Sequence, residues 1–91
     1  MEFDWDTENT HHIKLHHVRR TEAEQVLRND PIAVQYQEHG GEERVLVLGQ
    51  TNAGRLLALV YTERKTKIRV VTAYAMSKRL EVIYFSERSN Q

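Results

Sequence analysis

The sequence predicts an α+β domain: a four-stranded antiparallel meander with a short strand and two helices before it and one helix after it. Three observations carry that expectation. Apolar residues recur with helical spacing as far as Leu27, then switch to period two at Ala33. The strand-like runs that follow are joined by connections too short for crossovers, so neighbours must pair antiparallel. A serine-capped helical pattern returns after Ser77. With no linker-like stretch, the chain reads as one domain, 1–91, with a frayed tail from about residue 87.

Glu2-Phe3-Asp4-Trp5 alternates polar and apolar residues, as a half-buried strand does. Asp6 or Thr7 can cap a helix to about His17, with Glu8 in the first turn, where the helix dipole favours a carboxylate. Ile13, His16 and His17 would line one side of it. Thr21-Glu22-Ala23-Glu24 reads as a capping box for a second helix with Ala23, Val26 and Leu27 on one face, stopped by Asp30-Pro31. Ala33 to Glu38 reads as a strand with Val34 and Tyr36 on one side. Gly40-Gly41 turns the chain, Glu43 to Leu48 forms the next strand, and Gln50 to Gly54 turns it again. Arg55 to Thr62 contains an apolar run typical of a central strand covered on both faces. After Arg64-Lys65-Thr66 comes the last strand, Lys67 to Tyr74. Strict alternation puts Ile68, Val70, Thr72 and Tyr74 on one face and Lys67, Arg69, Val71 and Ala73 on the other. Ser77 caps a final helix to about Phe85 that buries Leu80, Ile83 and Tyr84. The helices are expected to cover one sheet face and leave the other polar or free to bind.

Acids and bases cancel overall but not locally. Residues 1–30 hold seven acids against four bases, whereas residues 55–79 hold seven bases (Arg55, Arg64, Lys65, Lys67, Arg69, Lys78, Arg79) against Glu63 alone. Such a segment is expected to hold a positive field suited to RNA, another polyanion or an acidic protein; the plainer reading is a solvated surface. The absence of cysteine excludes disulfides and thiolate zinc sites and fits a cytoplasmic setting. No apolar run approaches the roughly 18 residues of a membrane span. The acidic opening Met1 to Asp6 has the wrong sign for a signal or transit peptide.

Arg69 stands in mid-strand, where an arginine either snorkels to solvent or pairs. His12 and His16 are four apart and could share a cation on one helix face. Two ligands make no site, the flanks are not H-E-x-x-H, and no metal or cofactor is expected. A histidine at the core edge, or one acting as general acid or base near neutral pH, is the better expectation. No phosphate-cradling glycine loop, nucleophile elbow or dinucleotide fingerprint is present.

In order along residues 3–84 the segments resemble those of the BrnT toxins. Phe3-Asp4-Trp5-Asp6 resembles that family's F-E-W-D opening, and the run from His12 to Val18 resembles its helix end in the form H-I-x-x-H-x-V. Glu22-Ala23-Glu24 with Asp30-Pro31 resembles E-E-A and D-P. Gly41-Glu42-Glu43-Arg44, Gly54-Arg55-Leu56-Leu57 and Tyr61-Thr62-Glu63-Arg64 match G-E-E-R, G-R-L-L and Y-T-E-R. Ile68 to Ala73 resembles I-R-I-I-S-A, and Lys78 to Glu81 with Tyr84 resembles the closing helix.

The resemblance implies a RelE-like fold and a toxin of a bacterial type II toxin–antitoxin pair. It implies an endoribonuclease that cleaves RNA without metal and blocks translation. A cognate antitoxin would neutralise it: a BrnA-like ribbon-helix-helix protein from the adjacent gene, two copies of each chain, with DNA contacted only through the antitoxin. Attack of a ribose 2′-OH on the adjacent phosphate, leaving a cyclic phosphate, needs a base, an acid and cations around the phosphorane. Arg44, Arg64 and Arg69 are the candidates for phosphate contacts, because guanidinium forks match phosphate oxygens. His16 or Glu81 would be base or acid, and Arg55, Lys65, Lys67, Lys78 and Arg79 would hold the RNA. Tyr74 departs from the family, in which many members carry arginine at this position. A tyrosine can donate a hydrogen bond or stack on a base but brings no charge, and losing one preorganised charge costs roughly 10²-fold in rate. Leu15 and His17 also stand where lysine and glycine are usual. The alternative reading is a catalytically weak or inactive binding module of the same fold, acting through RNA or protein binding. A metal-dependent hydrolase on the histidine helix is a third.

Overall fold

The meander is present. A computed structural model, which describes residues 1–90, places β1 (Ile32–His39), β2 (Glu42–Gln50), β3 (Leu56–Arg64) and β4 (Lys67–Ala75) side by side in chain order, each neighbour antiparallel. Helices α1 (Thr7–Lys14) and α2 (Arg20–Arg28) precede the sheet and α3 (Lys78–Ser89) follows it. The N-terminal strand is one parallel bridge, Phe3 to Ile68. The Asp4 N–H donates to the Ile68 carbonyl, and the Ile68 N–H to that of Glu2, each at 2.8 Å. This bridge covers part of the β4 edge, an otherwise unpaired row of backbone groups.

The helix boundaries differ from expectation for local reasons. Asp6 caps α1 by accepting from the Asn9 N–H, and the Asn9 side chain accepts from the Asp6 N–H in return. The helix stops at Lys14 rather than His17: His17 takes a positive φ of 60°, and the Val18 N–H closes back on the Ile13 carbonyl. His16 and His17 therefore lie beyond the helix, not along its side. α2 begins before Thr21, with Arg19 at its N-cap. Glu22, not Glu24, reaches back to the Arg19 N–H, while Glu24 accepts from Trp5 Nε1 at 2.8 Å. α3 runs past Phe85 to Ser89, so residues 87–89 are helical rather than frayed. Ser89 Oγ donates to the Phe85 carbonyl and Arg88 Nη1 to that of Asp30. The end of the expected tail, position 91, lies outside the described residues.

Helices pack on both sheet faces, contrary to the expectation of one. On one face α1 and α2 bury Ile13, Val18, Ala23 and Val26 against Val45, Val47, Leu57, Leu59, Val70 and Ala73. On the other, α3 buries Tyr84 against Ile32, Leu48, Ala58 and Met76. Both faces of β2 and β3 are apolar, so each needs a cover. Gly49 lets α2 sit close: a Cβ there would lie 3.0 Å from Val26 Cγ1.

Two β-bulges overturn the alternation read from the sequence. Val60 pairs with Thr72 but Tyr61 with Val70, so Val71 is an extra residue in β4. Ile68, Val70 and Ala73 therefore share the α1/α2 face, while Arg69, Thr72 and Tyr74 share the α3 face. In β1, Ala33 pairs with Val47 and Gln35 with Leu46, which leaves Val34 as the extra residue. Val34 packs on the α3 side and Tyr36, opposite Val45, points to the α1/α2 side, so the two are on opposite faces.

Candidate functional site

α3 covers only one end of its sheet face. At the other end a hollow of about 440 Å³ opens between the sheet and α1. Arg44 from β2, Arg64 from β3 and Arg69 from β4 line it, with Val71 and Thr72 beyond. Cross-strand pairing explains the convergence: Arg69 lies opposite Thr62, two residues before Arg64, and the Val71 bulge keeps Thr72 on the same side. From α1 and its N-cap come Asp6, Glu8, Asn9 and His12, on the side that overlooks the sheet.

Each arginine already holds a carboxylate of its own chain. Glu42 bridges two of them, with its Oε1 3.2 Å from Arg44 Nε and its Oε2 3.0 Å from Arg64 Nε. Arg69, only 7 % exposed, is gripped by Asp6 through both terminal nitrogens, at 3.0 and 3.2 Å, with Asp4 at 3.8 Å. The Arg64 hydrogen bond holds the Glu42 carboxyl below its ordinary range, and the Arg69 hydrogen bond does the same for Asp6. Reciprocally, the Asp6 hydrogen bond raises the pKa of Arg69. Asp6 thus serves as helix cap and arginine partner at once. Asn9 fixes the arrangement: its buried amide donates to the Asp4 and Val70 carbonyls, each at 3.0 Å, tying α1 to the β4 edge.

The structure brings some of the expected site residues together and not others. Arg44, Arg64 and Arg69 share the hollow. His16 is near it, its ring 6.0 Å from that of Tyr74 and 5.8 Å from that of His12. Tyr74 packs partly into the α3 cluster. Glu81 sits in the first turn of α3 and does not line the hollow. Lys65 and Lys67 line an adjoining depression with Asp4 and Arg64, continuing the row of cations from the hollow. Lys78 and Arg79 are exposed at the start of α3. Arg55 is engaged elsewhere: its guanidinium donates to the His17 carbonyl at 2.7 Å and to Glu22 at 3.2 Å. Burial opposes ionisation of Glu22, yet the Arg19 N–H and Arg55 outweigh it and lower its pKa.

Sequence reading singled out His16 and passed over His12 as a site residue, along with Asp6, Asn9 and Glu42. The signal was available for the α1 residues, since positions 6, 9 and 12 fall on one helix side. Nothing in the sequence showed that this side faces the arginines. Among the described residues no group of three histidine, cysteine or acidic side chains is arranged to hold a metal ion, and no helix is long and apolar enough to cross a membrane.

Fold and site together define a small α+β protein with guanidinium groups converging where an anion can enter. A family model described as "Ribonuclease toxin, BrnT, of type II toxin-antitoxin system" matches residues 5–79, and the chain belongs to that family. Membership implies an antitoxin as partner. No curated protein matches the chain.

Proposed function

We propose that the protein is a metal-independent endoribonuclease that arrests translation and is held inactive by its antitoxin. The observation that supports this reading is the convergence of Arg44, Arg64 and Arg69 on one hollow with His12 at its rim. In this reading Arg44 and Arg64 take the oxygens of the scissile phosphate as forked donors. Arg69, fixed by Asp6, supplies a preorganised positive charge at the same wall. His12 or His16 takes the proton of the 2′-OH, and Tyr74 or the second histidine returns one to the leaving oxygen. Lys65, Lys67, Lys78 and Arg79 guide the strand by its phosphates. Glu81 has no part in the proton transfers.

The test is expression of the chain alone and together with the small protein encoded beside it, with purified protein incubated with RNA in EDTA. Growth arrest relieved by the neighbour, and products ending in cyclic phosphate, support the reading. Harmless expression with intact RNA sinks it. Arg64→Ala is the informative substitution, because Arg64 is half exposed whereas Arg69 is buried and its loss unsettles α1. A second reading, a binding module that does not cut, is favoured by the uncharged Tyr74 and by the carboxylates seated on all three arginines. Cleavage gained only on Tyr74→Arg would support it.

A further inference from the structure

The α1/α2 face of the sheet is left uncovered where β1 and β2 meet at the Gly40-Gly41 turn. Tyr36, Val45 and Tyr61 form a cross-strand row there, Val45 pairing with both tyrosines. Tyr36 is 66 % exposed. These residues, with Gly41, Glu43 and Glu63, line an open hollow of about 640 Å³. β1 is also the bare edge of the sheet, whereas Phe3, Asp4 and Asn9 occupy the β4 edge.

Two residues beyond each member of that row stands a glutamate: Glu38, Glu43 and Glu63. Period two projects all three from the same face. Glu38 and Glu43 are direct cross-strand partners, an arrangement of like charges that weakens a sheet. Among the described residues none of the three forms an ion pair, although Asp6, Glu22, Glu24 and Glu42 all do. The Tyr61 phenol is pushed up chiefly by burial, then by Tyr36, Glu63 and Glu43, as a negative local field requires.

We infer that this uncovered sheet face seats an arginine- or lysine-bearing segment of the antitoxin. The tyrosine rings offer faces to a guanidinium or ammonium group. The glutamates neutralise it, and the free β1 edge can pair with an added extended chain. A second copy of this chain is a poor occupant, since its own copy of this face presents the same three glutamates and not the cations that would neutralise them. The tyrosine row faces the opposite side of the sheet from the arginine hollow and meets it only at the sheet end, through Glu42 and Thr62, so it contributes affinity and orientation for the partner rather than chemistry.

The test is a two-dimensional NMR titration of the full chain with acetyl-Arg-Val-Arg-Val-Arg-amide, with the glutamate counterpart of that peptide as control. Saturable shifts at Tyr36, Val45 and Tyr61 are expected with the arginine peptide only, and binding roughly tenfold weaker in the Glu43→Gln/Glu63→Gln variant. That variant should melt higher than the parent, because repulsion has been removed, and should cleave RNA as the parent does. A second arm uses the complex with the co-expressed antitoxin, in which hydrogen exchange should slow across residues 36–45. Shifts that are absent, unchanged in the variant, or equal at Glu8 and Glu22 would overturn the inference, as would a complex with no protection over 36–45. Loss of nuclease activity in the parent would count against the proposed function and leave this surface untouched.

Discussion

Glu42 and Asp6 show how single side chains decide what the arginine hollow can accept. A phosphate entering it competes with carboxylates already in place. Glu42→Gln keeps the side-chain shape, removes its charge and frees two guanidinium groups. In anisotropy titrations a single-stranded RNA should bind this variant more tightly. The fall of log affinity with log salt should steepen by about one phosphate contact, near 0.7 for single strands. Weaker binding would instead mean that Glu42 aims the arginines. Asn9 is the structural counterpart. Asn9→Ala strands the buried Val70 carbonyl and removes the side-chain acceptor of the Asp6 N–H in the α1 capping box, which should cost about 2–3 kcal/mol in urea unfolding. At this scale the sequence was half legible. The arginines stood out as charged residues at known positions, but their long-range partners did not, because Glu42 reaches Arg64 on the neighbouring strand and Asp6 reaches Arg69 across most of the chain.

At the scale of elements, order and type were readable and facing was not. The hydrophobic switch from helical spacing to period two, the Gly40-Gly41 turn and the Ser77 cap all mark features that the structure contains. The errors came from assuming unbroken alternation. Val34 and Val71 are ordinary strand residues with no glycine or proline to announce a bulge, and each shifts the faces that follow. The β3–β4 turn is tight for another reason: Lys65 and Thr66 both adopt positive φ, 50° and 71°, which a β-branched residue resists. Replacing Lys65-Thr66 by Asn-Gly should raise stability by about 1 kcal/mol, read as a shift in denaturation midpoint. Gly49→Ala should lower it by about 1–3 kcal/mol, since the new methyl collides with Val26 at the α2–β2 contact.

For the whole molecule, the uneven charge seen in the sequence is largely resolved by folding. The acidic opening segment lies against the basic last strand through Asp4, Asp6 and Arg69, and Glu22 of α2 meets Arg55. The positive field expected of residues 55–79 is thereby reduced chiefly to Lys65 and Lys67 about the β3–β4 turn and to Lys78 and Arg79 at the start of α3. The depressed carboxyls of Asp6, Glu22 and Glu42 tie this arrangement to pH. Each binds its proton less readily in the folded than in the unfolded chain, so its stabilising contribution is complete above the ordinary values of 3.8 and 4.5 and is lost as pH falls through the lower folded values. Melting temperatures followed from neutral pH into acid should hold level and then drop below about pH 4. A flat profile would mean that these pairs contribute nothing to the fold.

The extra residue at Val71 has a genetic consequence. Removing its single codon would leave Ile68, Val70 and Ala73 on one side and Arg69, Thr72 and Tyr74 on the other, because the bulge is the one irregularity in that pairing. The core would survive in register while the strand lost the bend that bulges impose next to Arg69. An in-frame deletion of one triplet is therefore a route to a folded form of the protein in which only the wall beside Arg69 is changed.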